Sequence, residues 1–419
     1  FDLQDQANFV NEDCSKIIIG VDSYINSANF ENAGVIIDYS NNDSYVFENT
    51  GLIYNLGGGD FTYTIGGPNS TIKTTLDHVW TGCMDSDWSK VGNWSSLLPT
   101  AQDHAIIVAE TNNPILSQNE TIKSLMVEEN ALLTLNNKLT VNGSSTTGVE
   151  VDGTIEVNND FIINNATTDG LIVSSTGTIN VADNLEVKNA GNNGIEIAGI
   201  VNIDGTMRVE DAAVDGMLIK SSGALNLEQD GSLVSLGHGG NQIINETSGY
   251  ISMDQDATFF IFGEVSSTGI CLENNGEIDN NNGTLTIIIV DNGNNGNILH
   301  SHIVNNDIIN NDGTLSIVAS NPEDNILFRN NGQIVNNDTI LISSLINDNE
   351  NIGFANAGHF FNNGATGGSF EIQDNNTFLI LDKFENTGSV MIEDSINISS
   401  DTLKNIAPGI IETKSTAKI

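Results

Sequence analysis

The chain of 419 residues reads as an all-β protein, a parallel β-solenoid (β-helix) of about 13–14 coils interrupted by a tryptophan-rich insertion. Three features carry that expectation. From Gly148 the sequence divides into consecutive units opening on a common phrase: GVEVDGTIEV at 148, GLIVSSTGTINV at 170, GIEIAGIVNI at 194 and GMLIKSSGALNL at 216. Later units lengthen but keep it, as in GICLENNGEIDN at Gly269 and NILFRNNGQIVN at Asn325, so the period of about 22–29 residues lies in the solenoid range. Each unit holds two or three bursts of alternating apolar residues, such as Val149/Val151 and Ile155/Val157, divided by Asp-Gly or Asn-Gly turns that favour positive φ. No helical periodicity intervenes. Units of like length and phase are what stacking of coils about 4.8 Å apart requires, and a hairpin sandwich has no such requirement.

In chain order, residues 1–66 read as an N-terminal extension with the first β-coils, 67–111 as an irregular Trp-rich module, 112–404 as the main solenoid and 405–419 as a C-terminal tail. Inward positions are expected to form ladders of Ile, Leu, Val and Phe. The 61 Asn and 41 Gly are expected at the turns, where stacked Asn amides hydrogen-bond from coil to coil. A second phrase, aromatic-x-Asn-x-Gly, marks the coils at Phe30, Phe47, Phe328, Phe354 and Phe384, with Leu272 as a variant. The two ends of the chain therefore carry the same kind of coil, while the stretch from about 148 to 240 carries the Gly-Thr-Ile kind.

A net charge of −42, from 13 Lys+Arg against 55 Asp+Glu, opposes binding to nucleic acid or to anionic lipid, which needs clustered cations. Arg208 and Arg329 are the two arginines, so bidentate clamps for phosphate or carboxylate have little material. No apolar run is long enough for a membrane-spanning helix. The chain opens at Phe1 without a signal peptide, as a processed, exported protein would. Three cysteines are too few for a disulfide scaffold; Cys14 with Cys83 is the candidate pair, three unpaired thiols being the alternative, and strand alternation places the leftover Cys271 facing outward.

Residues 78–108, HVWTGCMDSDWSKVGNWSSLLPTAQDHAIIV, hold all three tryptophans, Trp80, Trp88 and Trp94. The string W-T-G, D-W, N-W, then P-T-x-x-D and an I-I-V strand resembles a module of large secreted cell-surface β-solenoid proteins of the Bacteroidetes, in which it leads into Asn/Gly-rich repeats like residues 112–143 here. The resemblance covers about 65 residues. It implies export, usually by the type IX route, and an adhesive or cell-surface role; no C-terminal sorting domain is recognisable after Lys418. It also implies O-glycosylation at Asp-Ser/Thr-apolar signals, here at Thr339, Ser395 and Thr402. Physically, three closely spaced indoles suit an apolar plug over an open solenoid end, with a sugar-binding aromatic platform as the sharper alternative.

Asp85, Asp87 and Asp103 are weak candidate ligands for a structural Ca²⁺, since hard cations take oxygen ligands, although nothing completes an EF-hand or a calcium β-roll and a solvated acidic turn is the plainer reading. No other cofactor is expected. His300 and His302 form an H-x-H pair without a third ligand at obvious spacing. A polysaccharide lyase would need basic residues that are scarce here, and a glycosidase a carboxylate pair that a linear sequence neither supplies nor excludes. The expected role is non-enzymatic: an extracellular structural protein that self-assembles head to tail through exposed solenoid ends into a cell-surface or matrix filament, with Phe30, Phe47 and Phe384 near the joints. The alternatives are a monomeric glycan-binding adhesin region of a larger surface protein and, third, a carbohydrate-active β-helix enzyme. The expected partners are copies of the chain itself and, in the adhesin reading, surface glycans.

Overall fold

The computed structural model describes residues 78–265 continuously, then 270–291, 301–319, 325–344, 351–363, 368–373, 376–392, 395–406 and 409–413; within the first 73 residues it describes 8–11, 15–19, 29–38, 45–49, 52–55, 61–66 and 71–73. Cys14 and His300 lie outside the described residues, as do the side chains of Phe30, Phe47, Ser395 and Thr402.

The main body is a parallel β-solenoid with three strands per coil. In the coil at 148 these are Val149–Val151 on the first face, Thr154–Val157 on the second and Phe161–Asn164 on the third. Each pairs in parallel with the equivalent strand one coil on: Val149 with Leu171, Ile155 with Ile179 and Phe161 with Leu185. The third face alone is a sheet of 13 strands, from Glu120–Ile122 to Ile410–Thr413. Alternation decides which side chains enter the core. On Thr154–Val157, Ile155 and Val157 are buried while Thr154 and Glu156 are partly exposed, and stacked Ile, Leu, Val, Met and Phe make one continuous apolar cluster from Trp80 to Val390.

The N-terminal rungs form a shorter parallel stack of two four-stranded sheets, with Val35, Ile36, Ile37 and Ile53 in its core. The only helical element among the described residues is the short 3₁₀ turn Val91–Asn93.

The corners depart from strict alternation. The position just before each first-face strand is buried together with the residue after it, because the chain turns there and two consecutive residues face inward. Gly148, Gly170, Gly194 and Gly216 fill this position in the early coils, and Gln242, Cys271 and His302 later. Cys271 is therefore fully buried rather than outward-facing, which corrects the expectation from alternation. Burial pushes its thiol up to about 12; it is expected to resist maleimide at pH 8 in the native protein and to react only on unfolding, and rapid native labelling measured by mass spectrometry would refute its placement.

Asparagine also stands elsewhere than the turns alone. Two inward ladders occupy the corners of the later coils. One runs Asn245, Asn274, Asn305, Asn330, Asn356, each Nδ2 donating to the next Oδ1. The other runs Asn280, Asn311, Asn336, Asn362, Asn386, Asn405 in the same sense. Each amide also satisfies corner carbonyls, as Asn336 does those of Asp338 at 3.0 Å and Ser369 at 2.9 Å. This is what the aromatic-x-Asn-x-Gly phrase encodes: an aromatic rung, a carbonyl-capping corner amide and a close-packed glycine. A Cβ on Gly332 would lie 2.0 Å from the Asp307 carbonyl oxygen. Each ladder starts where the coil beneath holds an apolar corner residue, Ile219 under Asn245 and Met253 under Asn280. The Oδ1 atoms of these two first members are buried without a partner, as the acceptor end of a one-way ladder must be.

Candidate functional site

The N-terminal end of the main solenoid is built from the Trp module. His78–Val79 adds in parallel to His104–Ile107, and the segment after the 3₁₀ turn then runs back antiparallel, with Thr81 N–H donating to Asn93 O and Ser95 N–H to Val79 O, both at 2.8 Å. This antiparallel bridge, Trp80 with Trp94, covers the edge of His78–Val79 with a segment that does not continue the parallel stacking. Trp80, Trp88 and Trp94 are 0%, 1% and 1% exposed. Trp94 meets Trp80 and Trp88 edge-on at 5.3 Å and 4.6 Å, and the indole N–H groups of Trp80 and Trp94 donate to Asn112 O and Trp88 O. No indole face is left for a sugar. Lys16 Nζ donates to Trp94 O and Ser96 O, tying the N-terminal stack to the module, and Cys83 is disulfide-bonded.

Asp85, Asp87 and Asp103 are committed to protein donors. Asp85 takes Lys90 Nζ, Asp87 N–H and Asn93 Nδ2, and the Lys90 bond foremost holds its carboxyl down at about 2. Asp87 caps Ser89 N–H and Oγ. Asp103 is pushed up by partial burial, but bonds from Thr100 and the nearby His78 outweigh this and keep it below the usual range. The three carboxylates do not converge, and no group of three or more His, Cys, Asp or Glu is placed to hold a metal among the described residues.

Ser96, His78 and Asp103 stand in line, with Ser96 Oγ 2.9 Å from His78 Nδ1 and His78 Nε2 3.4 Å from Asp103. The trio does not form a nucleophile and base. Nδ1 also lies 2.8 Å from the Leu97 carbonyl, so it carries the proton and has no lone pair for the Ser96 hydroxyl, and His78 and Ser96 are 4% and 1% exposed.

The last described rung, Ser395–Asn405 and Ile410–Thr413, pairs below with Asn376–Asn386 and Ser389–Ile392. Ile406 and Ile410 are 42% and 60% exposed, and the exposed Asn405 ends the second corner ladder. Phe384 is not itself at a free surface: it is 2% exposed and stacks on Phe360 at 5.0 Å, one rung below the end, because aromatic positions of this phrase point into the core. Thr339 begins a third-face strand and donates its hydroxyl to Asp338.

Sequence reading missed His238. It fills the corner position that Ala166, Ala190 and Ala212 fill in earlier coils, accepting from Ala212 N–H at Nδ1 and contacting Ser235 Oγ through Nε2. Desolvation lowers its pKa to about 4, against a smaller opposing pull from Glu210. The fold thus holds the neutral ring. Its contribution is complete above about 6.5 and is lost as pH falls through about 4, amounting to about 3 kcal/mol. Urea midpoints should fall over that window and the His238→Gln variant should lose this part of the slope; an identical slope in the variant would contradict the assignment.

No curated protein matches the chain at a significant level. Among solved structures, that of the TibC-catalyzed hyper-glycosylated TibA55-350 fragment is similar at 12% identity and a TM-score of 0.29, covering 76% of this chain and 93% of that one. Residues 79–161, the Trp module and the first coils of the main solenoid, match a domain of unknown function (DUF8693).

Proposed function

We propose that the protein is an extracellular structural solenoid that assembles head to tail, its last described rung receiving the N-terminal stack of the next copy. The observation that carries this reading is the last described rung, which leaves Ile406, Ile410 and the ladder amide of Asn405 exposed, whereas the N-terminal edge of the main solenoid is covered by the Trp80–Trp94 bridge and buried indoles. A bare parallel rung is a template for another strand. The N-terminal stack supplies rungs of the same phrase, and its buried Asn11 donates to Asn32 in the same sense as the C-terminal ladders. A contact between unlike ends need not close, so it propagates as a filament.

A charge of −42 per copy opposes association at low salt, where screening reaches about 30 Å, and less at about 0.15 M, where it reaches about 8 Å. Sedimentation velocity should therefore show species growing with protein concentration and with salt. Ile406→Asp with Ile410→Asp, both at exposed positions, should leave the melting temperature near that of the wild type and raise the concentration needed for growth at least tenfold. A wild type that stays monomeric throughout would refute the reading.

A further inference from the structure

The outward side of the third face changes character along the solenoid. Over five consecutive rungs, from Ser232–Leu236 to Thr339–Ser344, three outward ranks carry no charged residue. The first rank is a hydroxyl ladder, Ser232, Thr258, Thr284, Thr314 and Thr339, in strict register. The second reads Val, Phe, Thr, Ser, Leu and the third Leu, Phe, Ile, Val, Ser. Thr258 and Thr284 are exposed and the other thirteen side chains, Phe260 and Phe262 among them, are half-buried. The strip is bounded by charge: Arg208 and Glu210 lie in the rung below and Glu371 in the rung above. On a chain with 55 acidic residues, an uncharged field of this extent is a distinct surface. In its middle Phe260 and Phe262, on one strand, lie with ring centroids 6.4 Å apart and planes 12° from parallel, an aligned aromatic pair at the surface.

We propose that this face binds a neutral, linear polysaccharide. A sugar ring offers an apolar C–H face, which suits the electron-rich face of an aromatic ring, and an equatorial rim of hydroxyls, which suits a row of Thr hydroxyls that donate and accept. The turn residues Asp230 and Asp256, at the border of the hydroxyl ladder, are exposed and accept from sugar hydroxyls. They and the net charge repel an anionic glycan. Five rungs by three ranks give an area of about 300–400 Å², of the size of functional patches on monomers but about half of what each partner buries in a stable protein–protein interface. A second copy is therefore the poorer occupant, and a chain of sugar rings lying across the rungs the better one. The buried indoles of the Trp module take no part. The inference stands independently of end-to-end assembly.

The test is co-sedimentation of the full chain with insoluble chitin, amorphous cellulose and an insoluble β-1,3-glucan, with alginate gel as the anionic counterpart. The wild type is expected to be retained on at least one neutral polymer, equally at 0.05 and 0.5 M salt, and not on alginate. Phe260→Ser with Phe262→Ser, both outward, should weaken retention at least tenfold with the melting temperature kept within a few degrees. Binding to none of the three neutral polymers would overturn the proposal, as would unchanged retention of the double variant, retention on alginate, or a dimer at micromolar concentration that this variant dissolves.

Discussion

Asn336→Met is expected to cost about 3–5 kcal/mol, whereas Asn280→Met, in the same ladder, should cost about 1–2 kcal/mol. Asn336 is fully buried; it accepts from Asn311 at 2.7 Å and donates to Asn362 at 2.8 Å and to two corner carbonyls. Removing it leaves the Asn362 Oδ1 without its ladder donor and deprives the Asp338 and Ser369 carbonyls, and each buried polar group left unsatisfied costs about 1–3 kcal/mol. Asn280 begins the ladder, and its own Oδ1 already lacks a partner. Replacing it moves the orphaned acceptor one rung up to Asn311 and deprives one corner carbonyl, that of Thr314 held at 3.3 Å, while the coil beneath already holds Met253 at that place. Because a solenoid opens locally, the comparison is best made by amide hydrogen exchange in the rungs either side of each substitution. Equal protection losses for the two variants would refute the one-way ladder.

Trp94→Ala is expected to cost about 3–5 kcal/mol, as for other large core aromatics, and to act mainly on the N-terminal coils. Trp94 touches both other indoles, its N–H satisfies the Trp88 carbonyl, and its own carbonyl accepts Lys16 Nζ. Truncation would open a void at the covered edge and unseat the antiparallel segment over Val79. In the wild type, acrylamide should quench the tryptophan fluorescence poorly; in the variant, Trp80 and Trp88 should become accessible. Efficient quenching of the native wild type would mean that the indoles face solvent after all.

Period and phase were legible because strand alternation is local: Val149/Val151 and Ile155/Val157 point inward as their spacing says, and equal unit lengths impose the stacking. Corners were not legible, since a sharp turn breaks the two-residue period and decides burial by tertiary context. That is why Cys271 lies inside and why corner Asn reads as turn Asn in a linear string. His238 could have been found by aligning units, for it stands where earlier coils place Ala. Whether the Trp cluster was plug or platform depended on which way the rings face, which spacing does not encode. The uncharged strip on the third face was hidden for a related reason: Ser232, Thr258, Thr284, Thr314 and Thr339 stand singly in the sequence and become a row only once the coils are in register.

The proposed assembly requires the last described rung of one copy to receive the N-terminal stack of another. Electron microscopy of the full chain at physiological salt, over a rising series of concentrations, tests this most directly. It should yield unbranched filaments of constant width, with subunits all pointing the same way. Dispersed rods at every concentration, or rods joined by like ends, would contradict it.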